Sequence, residues 1–160
     1  MANHVLSLLR SVQSGDVSPE DALVQLKLSP FEDLGYAKVD GHRAVRQGTA
    51  EVIYGQSKTP AQILGILETM HRQGCENVLV TRIPQETADI LSARFPVRYE
   101  PLSRLAVAFP APVERRGSIV VCTGGTSDMG VAEEAAITAE VLGNHVTRLY
   151  DVGVAGLHRL

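Results

Sequence analysis

Ser118-Ile119-Val120-Val121-Cys122-Thr123-Gly124-Gly125-Thr126-Ser127-Asp128 is an apolar run that stops at a pair of glycines and a polar triplet. An almost unbroken apolar stretch predicts a strand over 118–122, of the kind buried on both faces of a parallel sheet. The period then changes. Ala132, Ala135, Ala136 and Ala139 recur at helical spacing, so a helix is expected over 128–142 with a face of small side chains lying close to the sheet, and Gly143 ends it. The next strand is Val146-Thr147-Arg148-Leu149-Tyr150. A strand, a glycine loop, a helix and a second strand in this order place the chain in the α/β class.

Working outward, Pro110-Ala111-Pro112-Val113-Glu114-Arg115-Arg116-Gly117 mixes prolines and charges, the composition of a linker, and puts a domain boundary at 110–117. Upstream of it, residues 31–109 read as an N-terminal α/β subdomain. Asn77-Val78-Leu79-Val80-Thr81 is a buried strand, Pro84 opens a helix to about residue 95, and 97–99 and 105–109 are short extended segments. Thr59-Pro60 caps and starts a helix carrying Ile63, Leu64, Ile66, Leu67 and Met70, which Gly74 ends. Residues 31–58 show little periodicity beyond a short strand at 51–55, but hold many polar groups, as a functional loop region would. Residues 1–30 form a helical hairpin: Val5, Leu8, Leu9 and Val12 share one face, Gly15-Asp16 breaks it, and Ser18-Pro19-Glu20-Asp21 starts the second arm. Its apolar faces need a partner.

Composition excludes several classes. The 160 residues are 44% hydrophobic and 21% charged, values of an ordinary globular chain, and no run approaches the roughly 18 apolar residues of a membrane span. Met1-Ala2-Asn3-His4 leads into an amphipathic pattern rather than a secretory signal, so a cytoplasmic location is expected. A net charge of −3, few aromatics and no tryptophan argue against a nucleic-acid-binding face. Cys75 and Cys122 have neither CxxC nor histidine spacing for zinc and read as reduced, buried thiols.

The chemistry gathers at Gly124-Gly125-Thr126-Ser127-Asp128. A loop from a strand's carboxyl end to a helix's amino end offers unpaired N–H groups and a favourable dipole to an anion. Glycines allow close approach, and Thr126 and Ser127 add hydroxyl donors. Asp128 suits a helix cap, a ribose hydroxyl or a metal-bound water. The alternative is a tight turn before a capped helix, because the loop has neither the lysine of a Walker A motif nor GxGxxG spacing. A second loop, Asp151-Val152-Gly153-Val154-Ala155-Gly156-Leu157-His158-Arg159, follows the next strand on the same sheet edge, so a phosphate clamp with Gly153, His158 and Arg159 is expected; the alternatives are that His158 caps a helix or satisfies a carbonyl and that Arg159 is a surface charge. In the N-terminal region Arg43, Arg46 and Lys58 are candidates for a carboxylate or pyrophosphate. Asp40 and Glu51 are candidates for ribose hydroxyls or a metal-bound water, with Tyr54 beside them. A solvated surface network is the competing reading of that cluster. Glu133 and Glu134 are read as dipole partners in the first helical turn, and His4, His71 and His145 receive no role.

These residues carry a resemblance. The 124–128 loop, Val131-Ala132-Glu133-Glu134-Ala135 and the 151–160 stretch resemble LarB, the nickel-pincer nucleotide cofactor biosynthesis family. So do Asp40-Gly41-His42-Arg43, Arg46-Gln47-Gly48, Glu51-Val52-Ile53-Tyr54-Gly55-Gln56-Ser57-Lys58-Thr59 and Thr81-Arg82. The family pattern has a bulky residue and a proline where this chain has Thr49-Ala50, a departure confined to the local turn. More distantly, the two C-terminal loops are similar to those of PurE, the aminoimidazole ribonucleotide carboxylase family, in which they hold a nucleotide phosphate.

The resemblance implies that residues 118–160 are the first part of a PurE-like, Rossmann-like or flavodoxin-like parallel sheet with helices. It implies carboxylation of the pyridinium ring of nicotinic acid adenine dinucleotide with carbon dioxide or bicarbonate as co-substrate, hydrolysis of the phosphoanhydride releasing AMP, and a divalent metal, magnesium. It also implies a homo-oligomer assembled through the PurE-like domain. Two alternatives stand beside it: a PurE-related carboxylase or mutase of purine biosynthesis, and a nucleotide-binding module without chemistry. Two strands do not cover a parallel sheet, so the chain is expected to hold about two-thirds of a LarB-like protein. The catalytic cysteine that the resemblance implies is expected beyond Leu160, leaving this chain alone inactive.

Overall fold

The computed structural model describes residues 2–28, 31–40, 52–154 and 156. Helices α1, Ala2–Ser14, and α2, Pro19–Leu28, form the expected hairpin. Ser18 starts its second arm, its Oγ accepting from the Asp21 amide at 3.0 Å. Leu8 and Ala22 are buried, while Leu6, Leu9, Leu23 and Val24 are exposed, so the hairpin's apolar residues are covered only in part. Strands β1, Phe31–Asp33, and β2, Lys38–Asp40, form an antiparallel pair in a region whose sequence shows no strand period. The reason is length: three-residue strands around an Asx-type turn, with the Gly35 amide donating to Asp33 Oδ1, are too short to display alternation.

A mixed four-stranded sheet follows. Its strands are β3, Val52–Tyr54; β4, Val78–Thr81; β5, Val97–Glu100; and β6, Leu105–Ala108, in the spatial order β3-β4-β6-β5. Strands β3 and β4 are parallel, whereas β6 runs antiparallel to both β4 and β5. Helix α3, Pro60–Arg72, is the β3-to-β4 crossover. Its start matches the sequence signal: Thr59 Oγ1 accepts from the Gln62 amide while Gln62 Oε1 accepts from the Thr59 amide, a closed capping box. Helix α4, Gln85–Ser92, follows Pro84 and stops short of residue 95.

Alternation sorts the sheet's side chains. Val78, Val80, Ala106 and Ala108 join Ile53 in one core with Ile63 and Leu67 of α3 and Ala88 and Leu91 of α4. The opposite face presents Leu79, Leu105 and Val107, which pack against Ile137 and Val141 of α5, Met129–Val141. Every residue of β4 and β6 is therefore buried. Burying an Ile and a Val contributes about 1.5–3 kcal/mol each, so α5 is a structural layer of the N-terminal sheet. It also packs on the parallel pair β7, Gly117–Cys122, and β8, Asn144–Leu149.

The segment expected to be a linker is pinned at both ends. The Ala111 amide donates to Asn77 Oδ1 at 2.9 Å, and the Arg116 amide donates to the Gly143 carbonyl at 2.9 Å. Two expectations for β7 need correction. Ile119 and Val120 are 39% and 56% exposed instead of buried on both faces, and Cys122 is exposed where a buried thiol was expected, with Cys75 half-buried. The cause is geometric, for α5 covers only one face of this pair among the described residues.

Gly130 fixes how α5 meets the first sheet. A Cβ there would come within 2.9 Å of the Leu102 carbonyl in the β5–β6 turn. Gly130→Val is expected to lower stability by about 1–2 kcal/mol, because overpacking against backbone outweighs the few tenths gained in helix propensity. Thermal melting of the two proteins checks this.

Candidate functional site

Beyond β7 and β8 the two glycine-containing loops lie side by side. Thr123, 4% exposed, is the staple. Its amide donates to the Leu149 carbonyl at 3.1 Å, its carbonyl accepts from Val152 at 3.0 Å, and its Oγ1 accepts from the Asp151 amide at 2.9 Å. The Gly153 amide donates to the Gly124 carbonyl at 3.0 Å, extending the parallel ladder past the strands. Asp151 makes the bend with a φ of 56°, a conformation that aspartate tolerates better than most residues. A Cβ on Gly124 would come within 2.8 Å of Val154 Cγ1, so a larger residue there would require the exposed Val154 side chain to turn aside.

Gly125 is extended and has open space around its Cα, and Thr126–Asp128 forms a 3-10 turn with all three residues exposed. This turn displaces the helix start to Met129, which corrects two expectations. Asp128 makes no side-chain cap and stands as an exposed carboxylate. Glu133 and Glu134 lie beyond the first turn, where the dipole is weaker, and have specific partners instead. Glu133 receives Arg148 Nε and Nη2 at 3.0 and 2.9 Å and the Tyr150 hydroxyl at 2.6 Å, while Arg148 Nη1 donates to Glu140 at 2.6 Å. Arg148 holds both carboxyls below the ordinary carboxylate range, and desolvation with the Glu133 contact pushes the Tyr150 hydroxyl up to about 12. The cluster ties α5 to β8.

Of the N-terminal candidates, Tyr54 and Lys58 lie together. Tyr54 ends β3 with its ring half exposed; its hydroxyl donates to Gln56 Oε1 at 2.5 Å, and Lys58 Nζ donates to the Tyr54 carbonyl at 3.1 Å. Asp40 closes β2, in register with Phe31. Arg43, Arg46, Glu51, His158 and Arg159 lie outside the described residues. Arg82, just past β4, carries part of the family resemblance but receives no site role from the sequence. Its guanidinium sits 5.5 Å from the Tyr54 ring centroid, 3.4 Å from Gln56 Oε1 and 3.9 Å from Glu134 Oε2. The available signal was its position just past a buried strand parallel to the one ending in Tyr54. Among the described residues no group of three or more His, Cys, Asp or Glu side chains is assembled for a metal ion, and no helix is long and apolar enough to cross a membrane.

Fold and loops together define an α/β protein with a PurE-like parallel unit packed on a mixed-sheet domain. Residues 31–109 match the family described as the LarB/PurE-like N-terminal domain. Through this domain the chain is a LarB-like protein. Across 170 aligned residues it is 30% identical to Uncharacterized protein MJ0165 of Methanocaldococcus jannaschii, an alignment that takes in 100% of this chain and 66% of that protein.

Proposed function

We propose that this chain supplies the nucleotide-holding part of a LarB-type reaction on nicotinic acid adenine dinucleotide. In that reaction carbon dioxide becomes a new ring carboxylate, the displaced ring proton passes to solvent, and water cleaves the phosphoanhydride to release AMP. The observation that supports this reading is the stapled loop pair, with the Thr126 and Ser127 hydroxyls exposed just before α5. Such a loop gives a phosphate donors without a lysine. Magnesium would be held chiefly by substrate phosphate oxygens with a loop carboxylate such as Asp128, and when bound it would offset charge on the phosphoanhydride. A site of that kind needs few protein ligands, in keeping with the sparse carboxylates of the loops. Exposed Ile119, Val120, Val131 and Leu142 favour self-association through the same region.

Calorimetric titration tests the reading. Nicotinic acid adenine dinucleotide is expected to bind at least about tenfold more tightly than aminoimidazole ribonucleotide, a difference of about 1.4 kcal/mol. The reverse order would favour a purine-type carboxylase, and binding of neither would sink the proposal.

A further inference from the structure

From the contacts of Arg82 we infer that it is a second anion-binding residue of the nucleotide site. It would take the dinucleotide's anionic group distal to the phosphate seated on the 123–128 loop; this rests on the function proposed above. Three observations place it there. The Gly55 amide donates to the Thr81 carbonyl at 2.9 Å, so the ends of parallel strands β3 and β4 are held together and Tyr54, Gln56 and Arg82 emerge at one edge. In parallel arrangements ligands lie outside the carboxyl ends of the strands. Gly130 seats α5 on the Leu102 carbonyl, and the Ile83 amide donates to the Arg104 carbonyl at 2.9 Å, so the 101–104 turn bridges Arg82 to the amino end of α5. Finally, Arg82 Nε stands 3.9 Å from Glu134, six residues beyond Asp128, which is roughly 9 Å along the helix at 1.5 Å per residue.

The side chain is positioned but not consumed. At 53% exposure, its ion pair with Glu134 contributes little to stability. Its one hydrogen bond among the described residues is 3.4 Å long, so most of its five N–H donors are not taken up there. The Tyr54 ring beneath it limits where the guanidinium travels. Its backbone sits at a φ of 57°, where glycine would be less strained. An arginine retained at such a position, stacked on an aromatic ring and lightly paired, suits a planar anion such as a carboxylate or phosphate.

The test compares the full chain with Arg82→Gln and Arg82→Lys by calorimetry, using AMP and nicotinic acid adenine dinucleotide, with melting temperatures measured alongside. Arg82→Gln is expected to weaken the dinucleotide about ten- to a hundredfold, leave AMP within about twofold and leave melting unchanged, with Arg82→Lys in between. Equal losses for both ligands, or none in a wild type that binds both, would overturn the role of Arg82 while sparing the site. Failure of the wild type to bind either ligand would overturn both. Should Arg82→Gln misfold, the dinucleotide-to-AMP affinity ratio of Arg82→Lys decides, and an unchanged ratio counts against the inference.

Discussion

Arg148→Ala is expected to destabilise the protein by about 2–3 kcal/mol, lowering the melting temperature by roughly 5–10 °C. The guanidinium is 30% exposed, and its partners Glu133 and Glu140 only 14% and 17%, so its loss leaves two carboxylates largely shielded from water. Breaking a fully buried pair costs about 3–5 kcal/mol, and the residual exposure places this case below that range. The Tyr150 hydroxyl still donates to Glu133 but supplies no charge. Arg148→Met with Glu133→Gln and Glu140→Gln should recover much of the loss, because no uncompensated charge remains.

The same cluster sets an acid limit. Both glutamates have folded pKa values below the ordinary 4.5, chiefly through hydrogen bonds from Arg148, so their stabilisation is complete above that pH and drains as pH falls beneath it. Wild-type stability should therefore fall more steeply below about pH 4.5 than that of the triple variant. Parallel slopes in denaturant titrations across pH 3–6 would contradict the assignment.

The second large effect concerns binding. Ser127→Ala combined with Arg159→Ala is expected to weaken nucleotide affinity by about 3 kcal/mol or more, at least a hundredfold, since hydrogen bonds to charged groups contribute about 1.5–3 kcal/mol each. Ser127 is exposed on the 3-10 turn, so its loss should not disturb the core. Unchanged affinity by calorimetry would remove the phosphate clamp from the proposal.

Much of this architecture is legible in the sequence where local chemistry is strong. The Thr59-Pro60 start, the strand at 78–81 and the crossover from β7 to β8 all follow from caps, apolar runs and glycine stops. The β1–β2 pair is silent because three residues cannot show a period. The burial of β7 is overestimated because an apolar run says what a strand would bury, not what covers it. In the site, the glycine loop announces itself by composition, whereas Arg82 acquires meaning only when a parallel pairing brings it beside Tyr54. Arg148 reads from sequence as one more strand charge until α5 supplies its two acids.

Helix α5 belongs to two sheets at once, and this bears on dissecting the protein. An excision after residue 109 would follow the family boundary yet strip Ile137 and Val141 from Leu79, Leu105 and Val107, leaving one side of the mixed sheet greasy. The reciprocal fragment would lose the sheet face on which α5 packs. The two halves therefore share a single mechanical joint: a substitution that shifts α5 is expected to disturb the sheet that carries Tyr54 and Arg82 as well as the β7–β8 pair.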